Sequence, residues 1–159
     1  MDRDRKSTAL KSVQGLIWEE GYRDGDLLGE VFADVPAALA RWRAQRIDTG
    51  IFSSGSVLAQ QLLFRHSSAG DLTSVLRWHF DTTTGPKTDP ESYRRIAATM
   101  GIPAARVLFV SDMTAELDAA LRAGMQTRLA LRPGNRPPPL GPWPHGDAHV
   151  RRTDRLAGC

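Results

Sequence analysis

An α/β fold built on a parallel sheet is the architecture this 159-residue sequence predicts. Three observations predict it. Apolar runs of strand length alternate with segments of helical periodicity, the pattern of strand–helix–strand units. The most apolar run, Arg106-Val107-Leu108-Phe109-Val110-Ser111, fits a strand covered on both faces, as parallel sheets require. Polar groups stand where such runs end: Ser53 and Ser54 after one, Ser111 and Asp112 after another. In open parallel sheets, ligands bind beyond those carboxyl ends.

The elements follow in order. Leu10, Val13, Leu16 and Ile17 recur at three- and four-residue steps, predicting a helix over 8–20 with Gly21 as its stop. Residues 22–33 are glycine-rich and turn-like. Asp34 as N-cap, Pro36 in the first turn, and Leu39 and Trp42 on an apolar stripe predict a helix over 35–45. A strand over 48–53 ends at the serines. A helix over 56–65 carries Val57, Leu58, Leu62 and Leu63. Residues 66–88 read as loop with a short strand at Trp78-His79-Phe80.

Asp89-Pro90-Glu91 then opens a helix with a cap, a first-turn proline and an early acid. That helix closes near Met100 with Gly101 as its cap. The strand 106–111, a helix over 115–123 closed by Gly124, and a strand over 126–131 complete the pattern. Beyond Pro133 the chain is proline-rich and reads as an extended, flexible tail. Trp18, Trp42 and Trp78 read as packing residues.

Composition narrows the function classes. Hydrophobic residues at 41% and charged residues at 25% are ordinary for a globular protein with one real core. The net charge is only +3, and much of the arginine lies at the ends, in Arg3, Arg5, Arg151, Arg152 and Arg155. No basic stripe is interleaved with aromatics, which argues against nucleic acid as partner. No run approaches transmembrane length, and the charged start Met1-Asp2-Arg3-Asp4-Arg5-Lys6 is not a secretory signal. One cysteine, Cys159, makes no internal disulfide. The expectation is a cytoplasmic protein. His145 and His149 sit in the proline-rich tail and are set aside as ligands.

Three segments carry chemistry. Ser53-Ser54-Gly55-Ser56 follows a strand and precedes a helix, where hydroxyls and backbone N–H groups favour anions. Taken alone, such a turn is more often only a cap. Lys87, after Gly85-Pro86, is a cation fit to neutralise a phosphoryl oxygen, although a lone loop lysine is usually just solvated. Asp112 ends a strand where a carboxylate suits Mg²⁺, or else caps the helix that follows. Glu116, one turn on, reads as a candidate indirect ligand, and Asp118 reads as surface.

At this point the sequence resembles a family. The carrying stretches are Asp4 to Lys11 with Gln14-Gly15-Leu16-Ile17-Trp18-Glu19-Glu20-Gly21-Tyr22, then Ile51 to Val57, then Phe80-Asp81-Thr82-Thr83-Thr84-Gly85-Pro86-Lys87, then Phe109-Val110-Ser111-Asp112 through Ala120. Over about residues 4–135 these resemble the haloacid-dehalogenase-like phosphatases, and within them the enolase-phosphatases, or acireductone synthases, of methionine salvage. The resemblance implies a Rossmann-like parallel sheet of that type. It implies the end of a helical cap at 1–33, a phosphatase core at 34–135 and a tail at 136–159.

It also implies a phosphoric monoester hydrolase of methionine biosynthesis. The reaction would be enolisation and dephosphorylation of 2,3-diketo-5-methylthiopentyl-1-phosphate by a monomeric Mg²⁺ enzyme. Ser53, Ser54 and Lys87 would bind substrate, and Asp112 would ligate the metal. The cap would close over the substrate and exclude water.

One departure shapes the expectation. The family's first motif, Asp-x-Glu-x-Thr at a strand end, is not in the sequence. Its Asp is the nucleophile, and its strand sits between those ending at Ser53 and Asp112 in the family. The chain therefore reads as N-terminally truncated and inactive by itself. Each buried backbone group facing the gap would cost about 1–3 kcal/mol if left unmet. A non-catalytic binding module is the alternative. A receiver-type signalling domain ranks low, because there the acids precede the hydroxyl and the lysine.

Overall fold

The computed structural model describes residues 20–22, 24, 27–132 and 150–153. The chain divides into two compact units, Met1–Asp81 and Thr82–Cys159, a division that falls within the segment read from sequence as one core. The predicted N-terminal helix lies mostly outside the described residues. Its described end, 20–22, is helical through Gly21 and Tyr22, so the stop comes later than the glycine.

In the first unit, α1 (Val35–Ala44) begins after Asp34, whose side chain makes no cap bond, and buries Ala38 and Leu39. Strand β1 (Gly50–Phe52) leads through the serine turn into α2 (Val57–Arg65), capped by the Ser56 side chain and burying Ala59, Gln60 and Leu62. A 3-10 turn at Thr73–Val75 precedes β2 (Trp78–Phe80), which pairs with β1 in parallel, Ile51 opposite His79. The predicted β1 boundaries shrink by two residues at the start and one at the end. Trp78 is half-buried with the Arg77 guanidinium 4.7 Å over its ring. Trp42 is half-buried, and Trp18 lies outside the described residues.

The second unit holds α3 (Pro90–Met100), β3 (Leu108–Ser111), α4 (Thr114–Arg122), β4 (Gln126–Ala130) and β5 (Val150–Thr153). The start and stop signals of α3 act as predicted: Asp89 accepts from the Glu91 N–H at 2.9 Å, and Gly101 closes the helix at φ 66°. Gly124, at φ 88°, closes α4 with the Gly124 N–H on the Leu121 carbonyl and the Met125 N–H on that of Ala120, the paired bonds of a Schellman end. Tyr93, Ile96 and Ala97 of α3, Leu117, Ala119 and Ala120 of α4, and Thr127 and Leu129 of β4 form the buried interior.

Among the described residues the named strands pair in parallel, in two sheets ordered β1-β2 and β3-β4-β5. Two expectations need correction. The run 106–111 is not buried on both faces: residues 104–106 form a 3-10 turn, Leu108 is 38% exposed, and the rest of β3 is half-buried. Its apolar length belongs to a strand that, among the described residues, pairs on one side only. And the tail is not wholly irregular, because β5 lies in it and pairs with β4 over Thr127–Ala130. The signal there, Val150 followed by two arginines and Thr153, is too polar to read as a strand from sequence.

Candidate functional site

Two groups of polar side chains stand at strand ends, one in each unit. In the first unit the chain leaves β1 through Ser53, whose N–H donates to the Phe80 carbonyl at 3.1 Å and whose Oγ accepts from the Gly55 N–H at 3.1 Å. Ser54 is exposed. Ser56, the N-cap, accepts from the Ala59 N–H at 3.2 Å.

Behind the turn lies Gln60, buried, which donates to the carbonyls of Gly55 at 3.0 Å and Phe80 at 2.9 Å. Both amide hydrogens being committed, its oxygen faces His79 at 3.3 Å, so the ring's Nδ1 is the donor there. Burial holds the His79 imidazole below its usual pKa.

In the second unit the Gly85-Pro86-Lys87 loop meets the end of β3. The Lys87 ammonium lies 2.8 Å from Glu116 Oε2, with both side chains largely shielded, at 24% and 12% exposure. Ser111 donates to the same oxygen at 2.8 Å and accepts from the Met113 N–H at 3.1 Å. Glu116 is thus a hub for a cation and a hydroxyl, both charge-assisted contacts.

Asp112 is exposed and, among the described residues, makes no hydrogen bond or ion pair. It does not cap α4, whose N-cap is Met113. Asp118 is half-buried and pairs with Arg122 at 3.3 Å, one turn along the helix.

The structure therefore joins Lys87, Ser111 and Glu116 directly and sets Asp112 next along the chain. Ser53 and Ser54 belong to the other unit. Among the described residues no three His, Cys, Asp or Glu side chains gather as a metal cage. With Glu116 committed, Asp112 offers one exposed carboxylate, unpaired among the described residues. That fits Mg²⁺, which keeps water and takes phosphate oxygens beside one or two carboxylates.

A family model described as haloacid dehalogenase-like hydrolase matches residues 2–124. This chain belongs to that family. It is 58% identical over 143 residues to the Enolase-phosphatase E1 of Synechococcus elongatus, covering 90% of this chain and 60% of that protein. It is 54% identical to the Enolase-phosphatase E1 of Sorangium cellulosum over 84% of this chain and 58% of that one. The chain thus spans about 60% of the length of these curated relatives. A solved structure, the UTR4 protein of Saccharomyces cerevisiae, matches with a TM-score of 0.83 and 37% identity over 96% of this chain and 67% of that one.

Sequence reasoning missed Gln60, His79, Ser92 and Tyr93 as supports. Gln60 lies four residues after the cap Ser56, on the buried side of α2, where only the fold tells an anchoring amide from a solvated one. Ser92 and Tyr93 share the buried face of α3 with Ile96 and Ala97, a spacing that reads as core alone.

Proposed function

We propose that this chain carries the phosphate-binding and metal-binding side of an enolase-phosphatase of methionine salvage. The observation that carries the reading is the half-buried Lys87–Glu116–Ser111 cluster with the exposed Asp112 carboxylate directly after it. The identity to enolase-phosphatases supports it. Lys87, held by Glu116, presents its ammonium to a phosphoryl oxygen. Ser53 and Ser54 bind the substrate's phosphate by hydroxyl and backbone N–H at the start of α2. Asp112 would hold Mg²⁺, which when bound neutralises phosphoryl charge.

The substrate is a small phosphorylated diketone, taken through enolisation and dephosphorylation. The partner set holds no nucleic acid and no membrane, and the enzyme acts as a monomer in the cytoplasm. Among the described residues no helix is long and apolar enough to cross a membrane. The 159 residues hold no Asp-x-Glu-x-Thr, so by themselves they bind but do not turn over.

Calorimetric titration of the chain with inorganic phosphate, with and without Mg²⁺, tests this. Binding that needs Mg²⁺ and is lost in Asp112→Asn and Lys87→Ala is expected, with no release of phosphate from p-nitrophenyl phosphate. Absence of binding removes the site reading. Hydrolysis abolished by Asp112→Asn overturns the claim that the chain does not turn over.

A further inference from the structure

The lysine loop is held by two side chains that nothing in the proposed chemistry requires. Ser92 Oγ donates to the Pro86 carbonyl at 2.7 Å, and Tyr93 Oη donates to the Lys87 carbonyl at 2.7 Å. Both come from the first turns of α3 and are essentially fully buried, 1% and 0% exposed. Two consecutive loop carbonyls are therefore fixed by two consecutive helix residues. The Asp89 N–H gives the Pro86 carbonyl a second bond, at 3.1 Å. Gly85 makes the approach possible: its φ is 140°, and a Cβ there would overlap Ser92 Oγ.

Tyr93 also reaches the other half of the cluster. Its ring meets Phe109 edge-on, centroids 4.9 Å apart and planes at 72°. Phe109 lies on β3, the strand that delivers Ser111 and Asp112. One side chain thus holds the backbone of Lys87 at one end and packs on the strand of the carboxylate side at the other. The Lys87–Glu116 distance of 2.8 Å spans these two supports. Burial, and secondarily the negative charge of Glu116, push the phenol far above its usual pKa, so the hydroxyl remains a donor throughout the working pH range.

We propose that Tyr93 is a positioning residue that sets where the Lys87 ammonium stands relative to Glu116, acting through the Lys87 carbonyl. The inference deepens the reading of Lys87 as the phosphate-side cation and rests on it for its chemical consequence only. The anchoring itself is tested without phosphate.

The chain has three lysines, Lys6, Lys11 and Lys87, so their reaction with dilute acetic anhydride is resolved by peptide mass. Tyr93→Phe keeps the ring and its packing and removes only the donor. Loss of the anchor is expected to raise the Lys87 acetylation rate about five-fold, the equilibrium factor of a typical neutral hydrogen bond. The control is Leu117→Ala, which loosens the same interior without touching the loop carbonyls. Compared at matched distance below their unfolding midpoints, the control is expected to leave the Lys87 rate within two-fold of the parent chain, as a purely structural role would not.

An unchanged Lys87 rate in Tyr93→Phe, or an equal rise in both variants, overturns the proposal. If Tyr93→Phe does not fold, 3-fluorotyrosine incorporation keeps the donor and strengthens it. The ¹³C-labelled Lys87 carbonyl band then moves to lower frequency, and an unmoved band overturns the proposal. A positive result here with no phosphate binding in the titration above would leave the anchor standing and remove only the site reading.

Discussion

The serine turn of the first unit and the lysine loop of the second are built on opposite principles. The turn is held by neutral groups, and its own bonds are short in sequence: Ser53 to Gly55, Ser56 to Ala59, Gln60 to Gly55. The loop is held by two nearby hydroxyls and also by charge from a distant helix, with Lys87 and Glu116 separated by 29 positions and meeting at 2.8 Å. A turn of the first kind tolerates change because each bond satisfies a backbone group that water could also satisfy. A loop of the second kind depends on several elements at once, so one change leaves a shielded charge or an overfilled contact.

Glycine substitution gives the largest expected contrast. Gly85→Ala needs φ near 140° and overlaps a buried, hydrogen-bonded Ser92, so a loss of about 3 kcal/mol in urea unfolding is expected. Gly55→Ala in the serine turn meets only Ser53 Oγ at 3.6 Å and Ala59 Cβ at 3.9 Å, ordinary contacts, and should stay within about 0.5 kcal/mol of the parent. Equal losses would break the comparison.

The next contrast sets a charge hub against an amide hub. Glu116→Ala removes the carboxylate from beside a shielded ammonium and takes away the Ser111 hydroxyl's acceptor, for an expected loss of about 2–3 kcal/mol. Gln60→Ala removes three bonds, to the Gly55 and Phe80 carbonyls and from His79 Nδ1, but the Phe80 carbonyl keeps the Ser53 N–H, and about 1–2 kcal/mol is expected. Salt sharpens the test, because raising it should narrow the gap for the ion pair and leave the amide variant unchanged.

The same contrast explains what the sequence made legible. The helices at 35–44, 57–65, 90–100 and 114–122 were readable because caps, first-turn prolines and closing glycines act locally: Asp89, Pro90, Gly101 and Gly124 all do what their chemistry predicts. Ser53, Ser54, Lys87 and Asp112 were readable as candidates because they stand at element ends. What ties Lys87 to the end of β3 was not. Glu116 looked like an indirect metal ligand, and only the packing of α4 beside the loop makes it the partner of Lys87. Tyr93 carried an ordinary core spacing, and its hydroxyl's destination is a tertiary fact. The two arginines in the Val150–Thr153 sequence masked a strand, because their polarity does not read as one.

The smallest expected effect lies beside the serine turn and comes from His79. Burial lowers the pKa of His79 in the folded chain, whereas in the unfolded chain it sits near its usual value of about 6.5. The unfolded chain then takes up the proton first as pH falls. The stability linked to His79 is full above about pH 6.5, declines as pH drops through that value, and stops declining below the folded-state pKa. Unfolding midpoints in urea between pH 7.5 and 5 should show that decline, and His79→Asn should flatten it while keeping a donor for the Gln60 oxygen. An undiminished decline in His79→Asn would place the titration elsewhere, and the serine turn would then rest on hydrogen bonds alone, without any contribution from charge.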